Sequence, residues 1–167
     1  MQDLQVGSLT FNFPNSWQVS KYDEWDFYRN QFLKMLDGIK AVDLIAIENQ
    51  VVWLIEAKDY RSHRREKTIS LVDEVAKKVV WTLSAMIPAK INASNSFESN
   101  FAKDVCNATK VRIVLHLEQS VKTSKLFPRA VDPTKVQLKL RTLIKPIDPH
   151  PKVVESTQMQ NLAWTVT

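Results

Sequence analysis

Cysteine is almost absent from this 167-residue sequence: Cys106 stands alone, so no internal disulfide can form. Histidine is also scarce. His63, His116 and His150 are scattered, and one thiol with three dispersed imidazoles lacks the ligand spacing of a structural zinc site. Two glycines, Gly7 and Gly38, are too few for a phosphate-cradling glycine loop or a dinucleotide fingerprint. No apolar run approaches the roughly 18 residues of a bilayer span, so no membrane partner is expected. The amino terminus, Met1 to Leu4, lacks a basic and then apolar leader, which makes the expected location cytoplasmic.

What is present suits a folded chain. Hydrophobic residues make up 44% and charged residues 25%, near ordinary globular usage, and the length fits a single domain over residues 1–167. The net charge of +5 is unevenly distributed. Residues 1–60 carry five Lys or Arg against nine Asp or Glu, whereas residues 61–167 carry eighteen against nine. A basic part is an electrostatic footprint for polyanions such as nucleic acid; the acidic part would repel them unless its carboxylates hold a cation.

Along the chain, Leu9 to Phe13 alternates as a strand and ends in the turn Pro14-Asn15-Ser16. Trp25, Tyr28, Phe32 and Leu36 predict a first helix over residues 23–36, with acids in its first turn. Lys40 to Glu48 and Val51 to Lys58 read as a hairpin across Asn49-Gln50, apolar on both faces as befits central strands. The apolar stripe from Ile69 to Ile87 predicts a second helix ending at Pro88. Residues 89–109 read as loop or weak helix, and Val111 to Glu118 as a strand. Asp132-Pro133 caps a third helix running to Pro146, with short strands at Lys152 to Glu155 and Leu162 to Val166. This order gives an α/β layer fold.

The hairpin carries the chemistry. With a two-residue loop at Asn49-Gln50, directly opposed residues have numbers summing to 99, so Asp43 faces Glu56, and opposed side chains share one face with Cβ atoms roughly 5 Å apart. Two opposed carboxylates repel unless something compensates. Lys58, two residues beyond Glu56, falls on the same face. A hard cation such as Mg²⁺ or Mn²⁺ takes one or two carboxylates and keeps water and phosphate oxygens as its other ligands. It can generate a nucleophilic hydroxide for phosphodiester hydrolysis, with Lys58 placing water or stabilising charge. The alternative is a salt bridge bracing the hairpin, which would need only one acid per lysine.

Asp43 together with Glu56-Ala57-Lys58, on two apolar strands, resembles the PD-(D/E)XK nuclease superfamily, which includes restriction endonucleases, Holliday-junction resolvases and repair nucleases. The resemblance covers Lys40 to Lys58, with Val42 where the motif has proline. It implies a restriction endonuclease-like three-layer fold, a central mixed β-sheet flanked by helices. It also implies a Mg²⁺- or Mn²⁺-dependent deoxyribonuclease with catalytic Asp43, Glu56 and Lys58, acting on DNA, with a homodimer as one arrangement among relatives. The third strand of the family's meander is either Leu9 to Phe13, ahead of the first helix, or missing. Some members add a glutamate from the first helix as a metal ligand, which assigns Glu24 here, with Asp23 and Asp26 as competitors. A protein that keeps this fold but only binds nucleic acid, or serves as an accessory subunit, is the alternative.

Several basic residues are candidates for holding the nucleic acid. Arg61, Arg64, Arg65 and Lys67 leave the second hairpin strand directly, and His63 among them could assist proton transfer. On the second helix, Lys77, Lys78 and Trp81 combine phosphate-binding and stacking groups, although Asp73 with Lys77 and Glu74 with Lys78 also read as i,i+4 pairs on a solvated face. Cys106 reads as a small buried hydrophobe.

Overall fold

The computed structural model describes residues 1–62, 70–120 and 131–167. Its centre is a five-stranded mixed sheet in the order β3(Gln18–Lys21), β4(Leu44–Glu48), β5(Val51–Tyr60), β6(Lys110–Gln119), β7(Lys152–Val154). The first three strands run antiparallel to their neighbours, and β6 and β7 are parallel to β5. A second sheet of three antiparallel strands is formed by β1(Gln2–Val6), β2(Leu9–Phe13) and β8(Thr165–Val166) in the order β1-β2-β8.

Strand alternation divides the core in two. From the central sheet, Ile45, Ile47, Val52, Leu54, Ile113 and Leu115 face the helices α1(Asp26–Asn30), α2(Leu71–Asn92), α3(Ser96–Cys106) and α4(Pro133–Ile144). Leu44, Ala46, Ile55 and Val114 face the small sheet and its aromatic residues Phe11, Phe13, Trp17 and Trp164. Helices and a second sheet thus cover opposite faces, which is why the central strands are apolar on both sides.

The hairpin has the register expected from its loop. Leu44 pairs with Ile55, Ile45 with Leu54 and Glu48 with Val51, and Asn49 takes the left-handed conformation (φ 53°) that a tight turn requires. The strand beside β4 is Gln18–Lys21, which precedes α1 in the chain, whereas Leu9 to Phe13 belongs to the small sheet.

Three expectations need correction, and the alternative left open for residues 89–109 is settled as helix over 96–106. The first helix breaks into a 3₁₀ turn at Tyr22–Glu24, α1, and another 3₁₀ turn at Phe32–Lys34. The reason is tertiary: Trp25 is extended and its indole donates to Ser20 Oγ at 2.7 Å, and the Glu98 carboxylate of α3 accepts the Asp26 and Phe27 N–H groups at 2.7 and 3.0 Å, capping α1 from outside. Pro88 does not end α2, because Ala85, Met86 and Ala89 are buried on either side of it and packing carries the helix through the lost hydrogen bond. Residues 96–106 form a capped helix, with Asn95 accepting the Phe97 N–H at 2.9 Å. Cys106, at the end of that helix, is exposed rather than buried.

Candidate functional site

The site lies on the helix face of the sheet, where β4, β5 and α2 meet. Asp43 stands in a bend one residue before β4, in line with Ile45 and Ile47, whose side chains face the helices. Its carboxylate reaches across to β5, where Oδ2 accepts the Ala57 N–H at 2.7 Å. The preceding residue is fixed as well, since the Val42 N–H donates to the Oγ1 of buried Thr82 on α2 at 3.1 Å. Glu56 and Lys58 continue the parity of Val52 and Leu54 and face the same helix.

Glu56 is 1% exposed. Its Oε1 accepts two ammonium groups, Lys58 Nζ at 2.7 Å and Lys78 Nζ at 2.6 Å, whereas its Oε2 is buried without a hydrogen-bond partner. Lys58 is held from its other side by Glu74 Oε1 at 2.9 Å. The chain Glu74–Lys58–Glu56–Lys78 is therefore a buried ionic network joining β5 to α2. Burial pushes the Glu56 carboxyl up, and the negative charge of Asp43 adds to this, against the pull of Lys78 and Lys58. Burial alone would lower the Lys58 ammonium, but the Glu56 and Glu74 carboxylates outweigh it and hold the group above the usual lysine range.

A further carboxylate joins from the 3₁₀ turn. Asp23 is pushed up by burial and then by Asp43, and its Oδ1 is buried with no partner. The Tyr28 phenol, raised by burial first, also feels Asp23 and Glu56, and it donates to the Ile39 carbonyl at 3.1 Å. Among the described residues, Glu56 and Glu74 thus bind two ammonium groups, while Asp43 acts on Glu56 and on Asp23, which also feels Lys21 and Arg29.

That arrangement suits a hard cation in two respects. The orphaned oxygens of Glu56 and Asp23 lie in the electrostatic reach of Asp43, and the three carboxylates Asp43, Glu56 and Glu74 outnumber the two ammonium groups Lys58 and Lys78. Among the described residues, no three His, Cys, Asp or Glu side chains enclose a metal by themselves, so the fit is to an ion that keeps much of its water, as Mg²⁺ does. Asp43 and Glu56 are the residues that would hold it, with Asp23 beside them.

The other expected residues are placed differently. Glu24 points away, exposed and paired with Lys21 at 2.5 Å, which holds its carboxyl below the usual range; the acid of this turn that meets Asp43 is Asp23. Arg61 follows Asp59, which falls on the opposite face from Lys58. There its guanidinium binds the Asp59 carboxylate at 2.6 and 2.9 Å and approaches Ser8. Lys77 is exposed on α2, but Lys78 turns inward onto Glu56, and Glu74 is buried, so the pair Glu74 and Lys78 is no solvated helix face. Trp81 is half-buried against the core. Arg64, Arg65, Lys67 and His63 lie outside the described residues. Glu74 and Lys78 had a sequence signal: they interrupt the line Leu71, Glu74, Lys78, Thr82, Ala85, Ala89, whose other members are all buried.

A second buried polar group lies on the other face. His116 on β6 is fully buried, edge-on to Phe11, and its Nε2 donates to Glu118 Oε1 at 2.9 Å, which also accepts the Ser156 N–H at 2.6 Å. Burial pushes the imidazole down. Burial alone would raise the Glu118 carboxyl, but the Ser156 and His116 donors hold it below the usual range. The imidazole is satisfied on one side only, because its Nδ1 is buried without a hydrogen-bond partner among the described residues.

No family model matches the chain, and no solved structure matches it. Over 208 aligned residues, covering all of it, the chain is 28% identical to a cysteine-tRNA ligase of Neisseria meningitidis serogroup A, and it spans 30% of that protein's length.

Proposed function

We propose that the chain is a metal-dependent endonuclease that hydrolyses DNA phosphodiester bonds, with a restriction endonuclease-like fold and Asp43, Glu56 and Lys58 as its catalytic residues. The observation that carries the reading is the meeting of Asp43 with Glu56 on neighbouring strands, one oxygen of Glu56 being buried and unpartnered while Lys58 stands on the other. The antiparallel neighbours β3, β4 and β5, with α2 and a parallel β6 following, support the fold assignment, and the place of α1 between β3 and β4 is a departure from it. Helices on one face and a small sheet on the other are a departure from helices on both.

Bound Mg²⁺ or Mn²⁺ would supply an activated water and shield charge on the phosphate. Asp43 and Glu56 would hold the ion, the Asp43 carboxylate being fixed by the Ala57 N–H and the backbone of the preceding Val42 by Thr82. Lys58, anchored by Glu74, keeps its proton and presents a positive charge where negative charge develops. Lys77, exposed on α2, is the candidate for a contact with the phosphate backbone. The Arg61 side chain is already committed to Asp59.

Incubation of supercoiled and branched DNA with the purified chain and Mg²⁺ or Mn²⁺ tests this: cleavage should occur, and Asp43→Asn should abolish it. A chain that cuts no DNA with either ion sinks the enzyme reading.

The likeness to part of a cysteine-tRNA ligase favours a second reading, an accessory module that binds nucleic acid, RNA included, without cutting it. Such a module would bind with an affinity that falls steeply with salt and would keep that affinity after Asp43→Asn.

A further inference from the structure

Two ammonium groups enter the network, Lys58 from β5 and Lys78 from α2, and they are not equivalent. Lys58 has two carboxylate anchors, Glu56 Oε1 at 2.7 Å and Glu74 Oε1 at 2.9 Å. Lys78 is bound to Glu56 Oε1 at 2.6 Å, with 12% of its side chain exposed. Both ammonium groups therefore share one oxygen of a carboxylate that is itself 1% exposed. Among the described residues, the neighbouring acids Asp43 and Asp23 bind neither of these two ammonium groups, although Lys21 and Arg29 act on Asp23.

Two cations on one oxygen repel each other, and the Glu74 and Asp43 carboxylates beside them offset that repulsion. A divalent ion entering beside Glu56 would neutralise that negative charge. One ammonium must then give way, and the one with a single carboxylate anchor is the easier to release. We propose that Lys78 is a positioning residue that serves as a built-in substitute for the cation: it occupies Glu56 in the metal-free protein and is released when a divalent ion binds, while Glu74 keeps Lys58 in place. This rests on reading Asp43 and Glu56 as cation ligands. The consequence is that Lys78 competes with the ion it replaces, so cation affinity is set partly by α2.

The competition can be measured without any nucleic acid, by calorimetric titration of the full chain with Mn²⁺ alone. Lys78→Met removes the competing charge and should tighten binding about tenfold, the low end of what one adjacent charge does to an ionic equilibrium. Lys78→Arg, which keeps the charge, should stay near the unaltered protein, and Lys78→Met combined with Asp43→Asn should lose the gain. Equal or weaker binding by Lys78→Met overturns the role of Lys78. If binding is nonetheless lost on Asp43→Asn, the ligand assignment survives alone; if neither protein binds, both fall. Should Lys78→Met fail to fold, lysine side-chain NMR of the unaltered chain during Mg²⁺ titration decides the matter. The Lys78 ε-methylene resonance should move to the position of a solvated lysine while that of Lys58 stays, and movement of both, or of neither, counts against release.

Discussion

The Asp43 carboxylate accepts the Ala57 backbone N–H at 2.7 Å, bridging from a bend to the neighbouring strand just where the β4-β5 ladder ends. This bond holds one carboxylate oxygen and with it the distance to Glu56. It also brings a negative charge next to a buried carboxyl, a costly arrangement without a cation.

Asp43→Asn should therefore separate stability from function. The asparagine oxygen can still accept the Ala57 N–H, while the charge that raises Glu56 and Asp23, after burial, is gone. In metal-free buffer the variant should be more stable by about 0.5 kcal/mol, the scale of relieving two opposed like charges. Mg²⁺ should raise the melting temperature of the unaltered protein, by about 2.7 kcal/mol equivalent at a hundredfold excess over Kd, and leave the variant unmoved. Thermal melts with and without Mg²⁺ read both effects, and equal Mg²⁺ stabilisation of the two proteins would remove Asp43 from the ligand set.

Lys58→Met should abolish cleavage and also cost stability. Glu56 keeps Lys78, but Glu74 loses its 2.9 Å ion pair in a buried setting, a loss of about 1–3 kcal/mol. Urea unfolding gives the cost and a nuclease assay the activity. An unfolding midpoint unchanged within error would mean that the network does not brace α2 against β5.

His116 gives the fold a defined response to pH. Its pKa is pushed down by burial, so the unfolded chain binds the extra proton first, and stability falls as pH drops below the ordinary value of about 6.5. The slope from one such group is at most about 1.4 kcal/mol per pH unit. Glu118 is held low and contributes a separate loss, beginning only below about pH 4.3. His116→Gln, which can still donate to Glu118, should flatten the stability profile between pH 5 and 6.5 and leave the acid limb in place. Urea midpoints across that range check the sign.

Asp148 anchors the far end of the sheet. Fully buried, it accepts the Ile113 N–H, the Arg112 guanidinium and the His150 N–H at 2.8, 2.8 and 2.9 Å. Asp148→Ala leaves a buried N–H and a cation unpartnered and should cost about 3 kcal/mol, while Asp148→Asn should cost less. Because its partners Arg112, Ile113 and His150 are not part of the Glu56 network, cation affinity measured at a temperature where the variant is folded should not change.

Local patterns were enough for several parts of this protein. The two-residue loop at Asn49-Gln50 dictated the register that sets Ile55 against Leu44, since a strand's side-chain period of two leaves no freedom once the turn is fixed. Asp132 before Pro133 fixed the start of α4 through a side-chain cap. The face shared by Glu56 and Lys58 followed from the same alternation.

Other parts were decided only when distant segments packed together. The residues after Lys21 have helical spacing, but Glu98 and Ser20 draw the backbone into three short turns, and that break turns Asp23 toward Asp43 while Glu24 faces solvent. Glu74 and Lys78 look like an ordinary helix pair until α2 lies across β5, where burial makes Glu56 and Lys58 their partners. Pairing along one chain depends on spacing of a few residues and is written locally; the choice of which charge meets which across the core depends on long-range contacts, whose geometry no single segment contains.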